Sequence, residues 1–189
     1  MATTRDNLIE TMKQLLWERG YDATSPNLVL ERSGAGKGSF YHHFKGKKEL
    51  AIAAMESRSD ELIEEFDRVT AKPDLYLEKV YAYLRLPRDA TRGCRMGRIV
   101  QDPSLDDPLL NAPLERYFKH LHERLTWMFE EAQRHREMMN ILPPGQLATL
   151  ALSALQGGFV LGRATGEGAA ADDATGALMA LLSTQTLRG

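Results

Sequence analysis

From its N-terminus to Gly46 the chain is cut by helix-terminating signals at short intervals, and this punctuation limits what it can fold into more than any other feature. Leu8, Ile9, Met12, Leu15 and Leu16 recur at helical spacing, Thr3 or Thr4 can cap the start, and Gly20 stands where a C-terminal cap belongs. A first helix therefore runs to about Arg19. Ser25-Pro26 reads as an N-cap followed by proline at the first helical position, and Gly34 closes this short second helix. After the Gly34-Ala35-Gly36 turn, Lys37 to His43 is long enough for two turns of a third helix before Gly46. Three short helices with a glycine turn between the second and third have helix-turn-helix shape.

The rest of the chain reads as longer helices. Lys47 to about Val69 carries Leu50, Ile52, Ala53, Leu62, Ile63 and Phe66 among charges, without internal proline or glycine. Pro73 can open a fifth helix, whose Leu77, Val80, Tyr81 and Leu84 precede the stop at Pro87. The turn-rich stretch from Arg88 to Pro108 allows at most a short helix around Met96 to Gln101. A long amphipathic helix then runs from about Leu110 to Arg136, another from Gln146 to Arg163, and a last one from Asp172 or Asp173 to about Leu187. No strand or repeat emerges. The expected fold is all-α: a three-helix domain of helix-turn-helix shape over 1–46, then a helical bundle over 47–189, linked by the helix at 47–70.

Composition supports a soluble globular chain, since 43% of its 189 residues are hydrophobic and 26% charged. No apolar run approaches the roughly 20 residues a bilayer needs, and Arg5 and Asp6 fall where a signal peptide would turn apolar. With one cysteine there is no internal disulfide, which suits a reducing, cytoplasmic setting away from membranes. The net charge of -2 conceals a local excess: between Gly36 and Lys48 stand Lys37, Lys45, Lys47, Lys48, His42 and His43 with no carboxylate. This is a compact cationic patch.

The stretch Gly34-Ala35-Gly36-Lys37-Gly38-Ser39-Phe40-Tyr41-His42-His43-Phe44, followed by Lys47-Lys48-Glu49-Leu50, closely resembles the DNA-binding signature of the TetR (tetracycline-repressor) family. The motif-level resemblance covers about residues 5 to 55; beyond it the chain matches the family in length and helical layout. A recognition helix offers its first residues to base edges while flanking cations and hydroxyls bind phosphate. Lys37, Ser39 and His42 are the candidates for base or near-base contacts, His43 a further one, Tyr41 a hydroxyl donor to phosphate, and glycine at 38 permits close approach. The resemblance places Lys47, at the first turn of the fourth helix, against the DNA backbone. Phe40 and Phe44, four residues apart, are expected in the core. Ser33, Gly36 and Leu30 depart from the family's usual alanine, capping serine and small residue.

Other chemistries fit less well. Gly34 to Ser39 looks like a phosphate loop, but the Walker spacing needs glycine at Glu31 and a hydroxyl at Gly38. The five histidines offer no chelating pair, because His42-His43 are adjacent and His120 and His122 point to different sides of a helix. No nucleophile, base and orienter set emerges, so a small helical enzyme is a lesser alternative and neither metal nor cofactor is expected. Cys94 lies beside Arg92, Arg95 and Arg98, and nearby cations favour thiolate. Its Gly93-Cys94 pair resembles a TetR subgroup with members that respond to electrophiles or oxidants, which keeps a redox-sensing regulator open beside a buried, inert thiol.

The apolar stripes of the fifth and long amphipathic helices suit a bundle cavity for a small-molecule effector, which Tyr81, Cys94, Met96, Tyr117, His120, Arg124 and Trp127 are candidates to line. Ala151 to Arg163 is too apolar to stand exposed, and Gly157, Gly158 and Gly162 weaken it as a helix unless close packing needs them. With the last helix (about 146–163 and 173–187 together) it resembles the family's homodimer interface; an intramolecular contact is the other reading. A two-fold dimer presents two recognition helices to a palindromic double-stranded operator. The resemblance implies a repressor released by its ligand, with the fourth helix as lever.

Overall fold

Side-chain caps set the ends of the first helices. In the computed structural model, which describes residues 3–72, 74–140 and 142–184, α1 spans Thr4–Arg19 behind a reciprocal capping box. The Thr3 amide donates to the Asp6 carboxylate at 2.9 Å, and the Asp6 amide donates to the Thr3 hydroxyl at 3.2 Å. Ser25 caps α2 (Pro26–Ser33) by accepting from the Leu28 amide at 3.2 Å, and Gly34 ends it at φ 68°. A left-handed C-cap of this kind strongly favours glycine. α3 is Lys37–His43 and α4 Lys47–Thr70, both as the sequence leads one to expect.

Further elements are α5 (Tyr76–Leu84), α6 (Pro108–Arg134), α7 (Pro144–Thr165) and α8 (Ala170–Ser183), with no strand among the described residues. Pro73, expected to open α5, and Leu187, expected to end α8, lie outside the described residues. The starts of α8 and α6 need correction. The short helix expected around Met96 to Gln101 is a single 3-10 turn at Gly97–Ile99, flanked by others at Ala90–Arg92 and Pro103–Asp106. Asp89 and Asp102 accept from the Thr91 and Ser104 amides at 3.1 Å each, which closes tight turns and leaves nothing to propagate. α8 begins at Ala170, ahead of Asp172 and Asp173, whose carboxylates fall in its first turn at the positive end of the helix dipole. α6 begins at Pro108 and contains Pro113.

The chain divides into two compact units, residues 1–62 with 95–117, and residues 63–94 with 118–189. In the first, Leu8, Met12, Leu15, Val29, Phe40 and Leu50 are buried and bring α1, α2, α3 and the start of α4 onto one core. The Asn7 amide group donates to the Ser33 carbonyl at 2.8 Å, tying α1 to the end of α2. Asp102 closes the other side by accepting from the Tyr21 amide at 2.7 Å and the Asp22 amide at 3.2 Å. Burial opposes its ionised form, but the hydrogen bonds from Ser104, Asp22 and Tyr21 outweigh that and hold its pKa below the ordinary value.

In the second unit, Phe66 packs edge-on against Tyr83, with ring centroids 4.7 Å apart, and Leu121, Leu125 and Phe129 are buried. α7 and α8 cross so closely that a Cβ on Gly158 would lie 2.4 Å from the Ala171 Cα. Gly162 is similarly filled by Ala90. Packing within the chain therefore accounts for these two glycines, whereas Gly157 faces open space. Contrary to the sequence expectation, α7 is by length and composition alone apolar enough to cross a bilayer: it has 22 residues, and an 18-residue window within it has a mean hydropathy of 1.2. One face of it packs within the chain, with Leu147, Ala151 and Leu155 buried and Gly158 against α8, while Leu150, Val160 and Leu161 stay exposed.

Candidate nucleic-acid interface

Helix α3 has two faces. Phe40 and Phe44, at 0% and 3% exposure, anchor it to the core, as their spacing implies. The opposite face presents Lys37, Gly38, Tyr41 and His42 to solvent, with Ser39 and His43 half-buried at its edges. Tyr41 is 52% exposed, and its ring stands edge-on to Phe40 at 5.0 Å, which fixes the direction of the hydroxyl. Nothing lies within 4 Å of where a Gly38 Cβ would be, so the backbone there is open to close approach. Gly36 takes the N-cap position at φ -70° without a side-chain cap.

The surrounding lysines differ in their commitments. Lys47 donates to the Tyr21 carbonyl at 3.1 Å and sits 3.8 Å over the Tyr21 ring, so its charge is held within the unit. Lys48 is paired with Asp107, whose carboxylate it holds below its ordinary pKa. Lys45 is exposed, while its backbone amide donates to Glu49 at 2.7 Å and braces the start of α4. Arg5, which sequence reasoning passed over, lies 5.5 Å over the Phe44 ring and adds a cation to the same side of the unit. A basic residue in the first turn of α1 opposes the helix dipole, and that was the available signal.

The residues expected to line an effector cavity fall in different places. Met96 and Tyr117 belong to the first unit and are buried there. Tyr81, Cys94, His120, Arg124 and Trp127 belong to the second. His120 meets the Asp67 carboxylate at 3.1 Å, Arg124 approaches the same carboxylate at 3.8 Å, and the Arg124 guanidinium stacks 5.0 Å from Trp127. These form one chain, ending on a Trp127 that is 39% exposed. Tyr81 and Cys94 are tied elsewhere: the Tyr81 hydroxyl donates to the Met179 carbonyl at 3.4 Å, and Gln156 Nε2 donates to Cys94 Sγ at 3.5 Å. Burial pushes the Tyr81 phenol above its ordinary pKa, so it stays a neutral donor.

Residues 8–54 match the family described as bacterial regulatory proteins, tetR family. Over 171 residues the chain is 29% identical to an HTH-type transcriptional regulator of Mycobacterium tuberculosis, covering 86% of each protein. It is also 36% identical over 53 residues to the HTH-type transcriptional repressor NemR of Escherichia coli, covering 28% of this chain and 27% of that one. Among solved structures, a TetR-family transcriptional regulator from Agrobacterium tumefaciens superposes with a TM-score of 0.87, at 17% identity, over 97% of this chain and 98% of that one. That last likeness shows the fold.

Proposed function

Because the chain belongs to the tetR family of bacterial regulatory proteins and is a helix-turn-helix transcriptional regulator, we propose that it is a homodimeric repressor, released from a palindromic operator when a small molecule binds its second unit. The observation that carries this reading is the division of α3 between a buried Phe40-Phe44 face and an exposed face of Lys37, Gly38, Tyr41 and His42 without a carboxylate. Lys37, Ser39 and His42 take base edges, with His43 behind them, and Tyr41 takes phosphate. Lys47 reaches the backbone by giving up Tyr21. Repression follows the printed name of the NemR relative.

The partner copy covers α7 and α8. Leu150, Val160, Leu161 and Leu181 are 46%, 64%, 58% and 67% exposed, and with Gly157 they make an uncharged stripe. A stripe of this kind on a DNA-binding chain is the expected half of an isologous interface. The dimer then sets two α3 helices to meet major grooves about 34 Å apart or a multiple of it. The effector occupies the second unit, beside the Asp67, His120, Arg124 and Trp127 chain. α4 and α6 run unbroken from one unit into the other, so a ligand that shifts either helix alters DNA affinity by linkage. The compartment is the cytoplasm, where the operator is.

Fluorescence anisotropy with the promoter DNA flanking the protein's own gene tests this. Tight, salt-sensitive binding that Tyr41→Ala weakens by about tenfold is expected, since a phosphate hydrogen bond to a charged group contributes roughly 1.5–3 kcal/mol. Unchanged binding in that variant would overturn the assignment of α3.

A further inference from the structure

Two adjoining grooves in the first unit begin beside His43 of α3 and lead away from its DNA-reading face. One, of about 640 Å³, runs from Arg5, His43 and Lys45 past Ile52 and Ala53 to Leu109. The other, of about 410 Å³, continues from Ile52, Glu56 and Leu109 to Pro113 and Arg116. Sharing Ile52, Glu56 and Leu109, they form one trough between α4 and the first turns of α6, and the larger part alone has the size of an ordinary small-molecule site. Ile52, Ala53, Leu109, Ala112 and Pro113 give it an apolar stretch, and Leu109 on its edge is 61% exposed.

The charges along the trough are unevenly placed. Among the described residues neither Arg5 nor Lys45 makes an ion pair, and both stand at the end next to α3. Every other charge there is accounted for or acidic. Lys48 is paired with Asp107, Arg116 with Asp60 at 2.7 Å, and Glu49 accepts from the Lys45 amide. Glu56 faces the apolar stretch and repels an anion placed there. A ligand that satisfies this pattern carries one negative charge at one end and an apolar body behind it.

We propose that the trough binds an amphipathic monocarboxylate, its head between Arg5 and Lys45 and its chain over Ile52, Ala53 and Leu109, and that the bound anion competes with DNA for those two cations. The binding claim stands on the trough alone; the competition claim rests on the DNA-reading assignment of α3. The site lies within the first unit and is separate from the effector site placed in the second.

Decanoate, below its micelle concentration, is the probe, titrated into the full chain and followed by calorimetry and amide NMR shifts. Shifts centred on Ile52, Ala53 and Leu109 are expected, with decanol at least tenfold weaker. Arg5→Ala combined with Lys45→Ala is expected to cost at least tenfold in decanoate affinity. Ala53→Trp, which fills the apolar stretch, abolishes binding, and Leu109→Asp does the same from an exposed position that cannot unfold the core. Shifts confined to residues 63–94 and 118–184, equal affinity for decanol, or undiminished binding in Leu109→Asp would overturn the proposal. In anisotropy, decanoate raises the apparent Kd for promoter DNA in the wild type and leaves Leu109→Asp unaffected. A protein that binds decanoate in the trough but no DNA keeps the site and refutes the α3 reading; one that binds DNA but no decanoate refutes the site.

Discussion

Gly157 and Gly158 are neighbours in α7, yet the structure assigns them opposite responses to the same substitution. An alanine at 158 would place its Cβ 2.4 Å from the Ala171 Cα and 2.9 Å from the Ala170 carbonyl oxygen, both backbone atoms at the start of α8. Neither can swing aside, so α7 and α8 must separate. Overpacking of this kind costs about 1–3 kcal/mol, and obstruction by backbone puts Gly158→Ala at the upper end. Alanine's better helix propensity returns about 1 kcal/mol, leaving a net loss of about 2 kcal/mol. At 157 nothing in the chain's own fold lies within 4 Å of the new methyl, so in the Leu161→Asp background, where the proposed interface that includes Gly157 is broken, only the gain of about 1 kcal/mol applies. In a chain of this length and in that background Gly158→Ala should lower Tm by about 4–8 °C and Gly157→Ala should raise it by a few degrees. Thermal unfolding followed by circular dichroism, at one fixed protein concentration because the stability of the proposed dimer depends on it, reads the difference. Equal Tm values for the two variants, or a Gly158→Ala protein as stable as its Leu161→Asp parent, would refute the close crossing of α7 and α8.

Other expectations follow from the same coordinates. Val160→Glu or Leu161→Asp should shift the protein to monomer in multi-angle light scattering while keeping its helical spectrum, because both residues are exposed in the single chain; a variant that stays dimeric removes α7 from the interface. Cys94, 7% exposed, should react with N-ethylmaleimide far more slowly in the native protein than in urea, and equal rates would contradict its burial. Asp102→Asn should destabilise the first unit by about 1–3 kcal/mol, read by chemical denaturation. Since the folded pKa of Asp102 is lowered, its contribution is complete above the unfolded value near 4 and is lost as pH falls through the folded one. The wild-type advantage over Asp102→Asn should therefore shrink only in acid below about pH 4, and an advantage that shrinks at neutral pH would contradict the assignment.

The sequence announced those parts of the fold that local chemistry controls. Ser25-Pro26, Gly34, Gly36 and Gly46 carry caps and turns on their own residues, so α2, α3 and the start of α4 were legible. α8 was misplaced because Ala169 caps it without a side-chain hydrogen bond and so leaves no mark in the sequence. The Met96 to Gln101 stretch keeps its short helix as a 3-10 turn, but its tie to α1 was not legible, because Asp102 grips Tyr21 from 81 positions away. The same holds at the site. Phe40, Tyr41 and the cations of α3 could be sorted into inner and outer faces by helical spacing alone. That Lys47 rests on Tyr21, that Lys48 is neutralised by Asp107, and that His120 and Arg124 converge on Asp67 are long-range contacts that periodicity does not encode. The stripes of two helices and the stretch between them suggest a shared lining, but helical spacing cannot tell that Met96 and Tyr117 belong to a different unit from Tyr81.

The central claim is that the outer face of α3 meets DNA, and the salt dependence of binding tests it most directly. Each phosphate contact neutralised by a lysine adds about 0.9 to the slope of log K against log salt on duplex DNA. Anisotropy titrations on one promoter fragment at several salt concentrations should give a slope for Lys37→Ala and for Lys45→Ala lower than wild type by about 1 each if these exposed cations sit on phosphate. If Lys37 reads a base edge instead, its variant should lose sequence discrimination with the slope kept. Lys48→Ala, whose charge Asp107 already holds, should change the slope little. Wild-type slope and wild-type discrimination in Lys37→Ala, together with an unaltered slope in Lys45→Ala, would contradict the account.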